Sequence, residues 1–495
     1  MRAILLGATF TLGCMSARDT DFVPPTDSGP SHARHTKTFT PTYDRSVTAG
    51  NPLKGFLSSP QWGNPSQEMP HSLEFVYLPL KEALPQAGVY TLTDSLEPRL
   101  NAAAARGNHL IVRFYLDYPG IESGMPDWLL KETGCTPYTE HGGGCSPDYS
   151  SPLLQNTLLD FIAEWGSAYD ADPRLGFIQV GLLGYWGEWH NYPNTESFAS
   201  EAFQQQVIES FDEAFDKTRI VIRSPVLDSP SRDFGFHDDS FAYSTLGEHN
   251  WFFLPELIAA GADEQWRRAP IGGELRPELQ GSAFSPEYVL GEFSQEPMDC
   301  IHQTHVSWLL NYQAFHKEGS GYQGTQLKEA QSAAMAMGYE LSIDAISITA
   351  GQLNPEAQTL SVSIAVTLTG SGVAPFYYPL SLIMEVGDER IMLGDDLETI
   401  QPGDHRVFTA ELERATSTIN DTYRLMLSTP MLLSEQRVRF AAAEDENGIL
   451  TWSPTFDCQT DTGQVPVGSI KEGCICDVDG VFRDATWSEC HGVEP

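Results

Sequence analysis

Two glutamates in this chain stand where a pair of carboxyl groups can act on one bond. Glu188 lies in the run Gly184-Tyr185-Trp186-Gly187-Glu188-Trp189-His190, and Glu274 in Gly272-Gly273-Glu274-Leu275-Arg276. Glycosidic cleavage needs such a pair, one carboxyl protonated to donate to the leaving oxygen and the other ionised as nucleophile or base. Trp186, Trp189 and Tyr185 are expected to stack on sugar rings, and apolar surroundings of that kind raise a carboxyl pKa and keep an acid protonated near neutral pH. Arg223 and Arg276 are expected to hold the partner carboxylate ionised through charge-assisted hydrogen bonds. Arg113 and Asp117 are four apart on one face of a strand, placed to pair with a catalytic group or with each other. His190, Trp308 and Asn311 complete the expected sugar-binding set. A lone Glu near a strand end is more often solvated or paired with Arg, and a large aromatic more often fills a core.

Other chemistries have weaker support. His190, His237, His249 and His305 with Asp238 and Asp239 invite a metal reading, but they come from different loops, and neither H-E-x-x-H nor H-x-x-E-H occurs. No metal and no cofactor is expected. No G-x-S-x-G marks a serine hydrolase. No G-x-G-x-x-G follows the first strand, so nothing supports a dinucleotide site.

The elements that must position the glutamates follow from the texture of the chain. Short β-rich runs fall at 53–57, 73–80, 109–116, 177–183, 219–223, 240–245, 269–273 and 306–311, with helical stretches at 96–106, 153–169 and 203–217 between them. Several runs are continuously apolar, as strands covered on both faces should be. Eight parallel strands over this length suit a TIM barrel, whose chemistry gathers at the C-terminal ends of the strands. Glu188 then follows strand four and Glu274 follows strand seven. Beyond 339 the texture changes to alternating segments at 341–348, 359–369, 380–386, 406–412, 423–427 and 438–442, separated by turn signals, which predicts an antiparallel β-sandwich. The expected fold class is α/β: a (β/α)8 barrel over 45–338, a sandwich over 339–454 and a small cysteine-rich tail over 455–495.

The remaining sequence bears on where the protein works. Residues 1–14 have the short apolar run of a signal peptide ending in Thr11-Leu12-Gly13-Cys14, and 15–44 suit a flexible tether. Cys14 is expected to carry a lipid after cleavage, with ordinary signal cleavage as the alternative. The protein is thus expected to be exported, at the cell surface or outer membrane if anchored and periplasmic or secreted if not. In an oxidising compartment a disulfide is expected to staple the Gly-rich loop between Cys135 and Cys145. Cys458, Cys474, Cys476 and Cys490 allow three pairings, and Cys300 is left as a buried thiol. With 29 Lys and Arg against 67 Asp and Glu, the formal charge is 29 − 67 = −38. That balance argues against nucleic acid and against anionic membrane surfaces, leaving the lipid anchor as the expected membrane link.

The stretches Asn51-Pro52-Leu53-Lys54-Gly55-Phe56, Gly181 through His190 with its W-G-E-W-H core, His305-Val306-Ser307-Trp308-Leu309-Leu310-Asn311-Tyr312 and Met337-Gly338-Tyr339 resemble a bacterial secreted family known as domain of unknown function 4832. That family is itself similar to clan A glycoside hydrolases, pairing a glycosidase-like barrel with a sandwich. The resemblance implies Glu188 as acid/base, Glu274 as nucleophile and retention of configuration. Gly187 departs from the clan pattern, which has Asn before the acid/base. The expected partner is a neutral or basic polysaccharide or oligosaccharide; a glycan-binding or adhesion protein that cuts nothing is the alternative, and a metal-dependent hydrolase a third.

Overall fold

The computed structural model describes residues 35–62, 69–315, 321–354 and 356–460, together with short strands of the tail between 463 and 483. Cys14 and Cys490 lie outside the described residues, as do the side chains of Cys458, Cys474 and Cys476.

Eight strands form one parallel sheet: β1 (Gly55–Leu57), β2 (Leu73–Pro79), β3 (His109–Tyr115), β4 (Leu175–Gln179), β5 (Ile220–Ile222), β6 (Gly235–Phe241), β7 (Ile271–Leu275) and β8 (Trp308–Leu310). From β2 to β8 each strand pairs with the next in sequence, and β8 returns to pair with β1. The two edges, β1 and β2, meet through a bridge between Ser58 and Glu74 and a 2.8 Å hydrogen bond from the Phe75 N–H to the Ser58 carbonyl, which nearly closes the barrel. All eight expected strands are present. The largest shift is in β6, which starts five residues earlier than 240 and so brings His237 and Asp239 into the sheet.

The outer face of the barrel packs against helices such as Pro152–Tyr169 and Glu201–Ala214. Phe114 on β3 meets Trp165 edge-on at 4.8 Å, and Trp165 in turn meets Phe211 and Phe215. These buried aromatics supply much of the apolar area that holds the helix layer to the sheet, at about 25 cal/mol per Å² removed from water.

The inner face changes character along the barrel. At its N-terminal end Leu73, Phe177 and Trp308 fill the interior. Trp308 stacks on Phe177 at 5.9 Å, and it fits because position 272 is glycine: a Cβ there would lie 2.1 Å from the indole. Further toward the C-terminal end, inward-facing positions of β3, β4, β6 and β7 deliver Arg113, Gln179, His237, Asp239 and Glu274, with Gln179 two residues beyond Phe177 and Glu274 two beyond Gly272 as the period-2 alternation of a strand requires. The apolar floor and the polar mouth therefore belong to one set of inward-facing positions.

The second unit is built of two antiparallel sheets, as expected. One orders His35–Phe39, Leu341–Asn354, Thr359–Gly370 and His405–Ala415; the other orders Glu389–Gly394, Ser381–Val386, Tyr423–Ser428, Ile449–Trp452 and Asp445–Glu446. Alternate residues Leu360, Val362, Ile364, Val366 and Leu368 are buried between the sheets. His35–Phe39 lies within the stretch expected to be tether; Thr36 and Thr38 pair across with Thr349 and Ser347, giving this edge the partners a tether would lack. The stretch 438–442 is not a strand. Its backbone is tied instead to the Asn51 side chain and to the Leu341 carbonyl. The sandwich core runs without a break into the barrel floor, where the Tyr378 hydroxyl donates to the Gly176 carbonyl at 2.5 Å.

Candidate active site

Glu188 and Glu274 open into one cleft of about 930 Å³ at the C-terminal end of the barrel. Glu274 is in β7 itself. Glu188 is carried by a tightly wound loop after β4, in which Leu182, Gly184, Trp186, Gly187 and Trp189 all have positive φ. Three of these are not glycine, so the loop stores backbone strain next to the cleft, where such strain tends to concentrate. Gly187 has φ +71°, and a Cβ there would come within 3.2 Å of the Phe114 carbonyl and 3.4 Å of Arg113 Cδ. The glycine that departs from the clan pattern is thus required by the local backbone.

Arg113 organises the floor of the cleft. Its guanidinium, 1% exposed, donates to Gln179 at 2.6 Å, to Glu188 Oε1 at 3.1 Å and to Asp239 Oδ2 at 2.8 Å. The faces of Phe75 and Tyr77 lie beneath it at 5.6 and 5.3 Å. His237 Nδ1 is 2.8 Å from Asp239 Oδ1. Because the carboxylate can only accept, the imidazole carries its proton on Nδ1. Burial would lift the Asp239 carboxyl, but Arg113, then His237 and Arg223, outweigh it and hold it well below the usual range. Burial keeps His237 neutral despite that carboxylate.

Glu274 has the opposite environment. Burial, then the charges of Asp239 and Glu188, push its carboxyl well above the ordinary value, and neither Arg113 nor the Tyr77 hydrogen bond offsets them. Gln280 Nε2 lies 3.4 Å from Glu274 Oε1. Glu188, 16% exposed, is engaged by Arg113 and has His190 Nε2 at 3.6 Å from its other oxygen. One carboxyl of the pair is pushed toward its protonated form and the other is bonded to a cation, which is the division of labour that acid-assisted displacement needs.

The expected sugar-binding residues divide into two groups. Trp186, His190, Arg223 and Arg276 line the cleft. Tyr185, Trp189, Asp117, Trp308 and Asn311 do not. Trp189 is 7% exposed and donates its indole N–H to the Val180 carbonyl at 2.8 Å, so it belongs to the core. Tyr185 is fully buried against Tyr138, with its hydroxyl on Asn194. Asp117 accepts from the Tyr138 hydroxyl at 2.7 Å and from Ser146 at 3.4 Å, and fastens the Cys135–Tyr138 and Gly144–Pro147 hairpin. That hairpin is closed by the Cys135–Cys145 disulfide, as expected, and presents His141 to the cleft. Trp308 is the barrel floor, and Asn311 faces Tyr322. Arg113 reaches Glu188 and Asp239 rather than Asp117. Nor does Arg223 or Arg276 hold either glutamate: Arg223 lies 3.9 Å from Asp238 and 4.0 Å from Asp239, and Arg276 pairs with Glu278 at 2.6 Å.

No family model matches the chain, and no curated protein does. Among solved structures it is similar to endo-glycoceramidase II from Rhodococcus sp. in a cellobiose-like imidazole complex, at 12% identity over 74% of this chain and 97% of that one, with a TM-score of 0.37. The same protein in a ganglioside GM3 complex gives 12% identity, 76% and 100% coverage and 0.34. GH5_18 from Bifidobacterium longum gives 12% identity, 54% and 70% coverage and 0.34. At such identities and scores, none of the chemistry below rests on these likenesses.

Sequence reasoning missed Asp239, His237, Gln179 and Tyr77 as site residues. The signal for the first two was their alternation, His237 and Asp239 on one face with Asp238 on the other, in a run whose charges disguised it as a loop. Gln179 and Tyr77 are each two residues beyond a buried aromatic, Phe177 and Phe75, on the same inward face. Among the described residues no group of three His, Cys, Asp or Glu side chains is arranged to hold a metal ion.

Proposed function

We propose that the protein hydrolyses a glycosidic bond in the barrel cleft, with Glu274 as the acid and Glu188 as the nucleophile. The observation that carries this reading is that two carboxyl groups share one cleft, Glu188 in an ion pair with Arg113 and Glu274 buried with its carboxyl pushed above the ordinary value. In the first step Glu274 gives its proton to the glycosidic oxygen while a Glu188 oxygen bonds to the anomeric carbon, and the leaving alcohol departs. In the second, Glu274 takes a proton from water, the water oxygen bonds to the anomeric carbon, and the Glu188 ester breaks. Configuration is retained. The roles are the reverse of those implied by the family resemblance, because Glu188 is paired with the Arg113 guanidinium while burial pushes the Glu274 carboxyl well above its ordinary value.

The chain's formal charge of −38 supports a neutral or basic glycan over a polyanion. The apolar run before Cys14 and the Cys135–Cys145 disulfide support an exported protein. The test is a glycan panel followed by a mechanism-based 2-deoxy-2-fluoroglycoside of whichever sugar is cleaved. Mass spectrometry of the trapped protein should place the adduct on Glu188. An adduct on Glu274 would restore the roles implied by the resemblance, and binding without turnover would favour the adhesion reading.

A further inference from the structure

A second surface joins the cleft at its rim. Arg276, which lines the cleft, lies over the ring of Tyr243 with 4.6 Å between guanidinium and centroid. Tyr243 stacks on Phe293 at 5.1 Å, and Phe293 stacks on Trp251 at 6.2 Å. From the cleft outward these side chains form one continuous strip. At its far end the strip is open to solvent, with Trp251 53% and Phe293 37% exposed, and the loop that carries Phe293 also leaves Leu290 58% and Val289 76% exposed. Trp251 and Phe293 are in ring contact, and Val289 and Leu290 precede Phe293 by four and three residues in the same loop. Contiguous exposed apolar surface is rare on a soluble protein unless something covers it.

The strip is held in place before anything binds. It is built from the loops that follow β6 and β7, and Gln295 ties them together: its N–H donates to the Ala242 carbonyl at 2.7 Å, and its side-chain oxygen accepts from the Thr245 and Leu246 N–H groups at 3.1 and 2.8 Å. The Tyr288 hydroxyl donates to the Gln295 carbonyl at 2.8 Å. A surface fixed in this way loses little freedom on binding.

Its composition points to the occupant. A sugar ring seeks a bare aromatic face with polar groups beside it, but Trp251 has His249 stacked on it at 5.9 Å as well as Phe293, so its faces are partly covered. Leu290 and Val289 offer only hydrocarbon. The charged groups at the edge are largely acidic, with Glu292 exposed and paired to His249 at 3.4 Å, which disfavours an anionic surface. With the sugar seated between Glu188 and Glu274 as proposed above, we infer that this strip holds the apolar, uncharged aglycone of an amphiphilic glycoside. The substrate class is then a glycoconjugate with a long alkyl or acyl chain rather than a uniform polysaccharide.

The inference is tested by equilibrium binding, with no turnover required. Calorimetric titration of the intact protein with maltose and with octyl, nonyl and decyl β-maltosides below their micelle concentrations should show affinity rising up to about fourfold per methylene, the fold-change of ~0.8 kcal/mol per buried CH₂. The slope should collapse in Leu290→Asp and in Trp251→Ala, two surface changes outside the cleft whose melting temperatures should match the unaltered protein. Equal slopes in variants and wild type, or no dependence on chain length, would overturn the inference. So would equally tight binding to phosphatidylcholine vesicles free of glycoside, which would make the strip a membrane contact, or its burial in a dimer seen by sedimentation. Hydrolysis of soluble glycans without the slope would leave the catalytic reading standing and remove this one; the slope without hydrolysis would do the reverse.

Discussion

Arg113 is the residue on which the site's charge balance turns. It is buried in ion pairs with Glu188 and Asp239, and removing one partner of a buried ion pair costs more than the pair contributes, because the other charge is left without compensation. Arg113→Met should cost about 3–5 kcal/mol in urea unfolding. Activity should be lost with it, since Glu188 then loses the hydrogen bond that positions it in the cleft. Glu274 makes a separate prediction through pH. Its folded pKa lies above its unfolded one, so between the two the native state holds a proton that the unfolded chain has released. Stability from this group therefore falls as pH rises from about 4.5 through the folded pKa. Glu274→Gln removes that loss, and its melting temperature should exceed wild type at pH 8 while matching it near pH 4. Only part of this was legible beforehand. The glutamates are legible because strand number alone predicts convergence at a barrel mouth; for Arg113 the sequence leaves a catalytic group and Asp117 as equal partners, because it does not show which of several acids an arginine will reach.

At the scale of elements, the loop from Gly181 to His190 decides where Glu188 points. The motif around Trp186 and Trp189 reads as a sugar platform because aromatic residues flank the acid. The chain, however, must turn back within a few residues, and the left-handed backbone at Trp189 sends its indole into the core to bond with Val180. Spacing along a strand fixes which face a residue takes, whereas spacing along a strained loop fixes very little, so the strand residues Glu274 and Arg113 are easier to place than Tyr185 or Trp189. Gly187→Ala puts a Cβ at positive φ against the Phe114 carbonyl. Such strain costs on the order of 1–3 kcal/mol. The expected result is a lower melting temperature together with a fall in kcat larger than the change in KM, because displacing Glu188 affects the chemical step more than it affects substrate binding.

At the scale of the molecule, barrel and sandwich share one continuous core, and the join contains a buried lysine. Lys54 donates to the carbonyls of Met335 at 2.9 Å and Tyr339 at 2.8 Å, where the chain passes from the last barrel helix into the sandwich. Burial lowers its pKa to about 7, with Glu340 opposing the shift and Arg45 adding to it. The texture change near 339 revealed two units, but not that they would be joined through their cores, since Trp308, Phe177, Tyr339 and Tyr378 are ordinary core residues in either one. Between pH 7 and the unfolded value near 10.4 the unfolded chain holds the Lys54 proton and the native state does not. Unfolding free energy from this group therefore rises with pH across that window. Lys54→Met removes the rise, so wild type should gain on the variant in urea midpoint between pH 7 and pH 9.5, with the contribution of Glu274 cancelling in the comparison. Because the lysine and the shared core bind both units, calorimetry of either protein should show one transition. Two separate transitions would mean that the sandwich contributes nothing to holding the barrel floor in place.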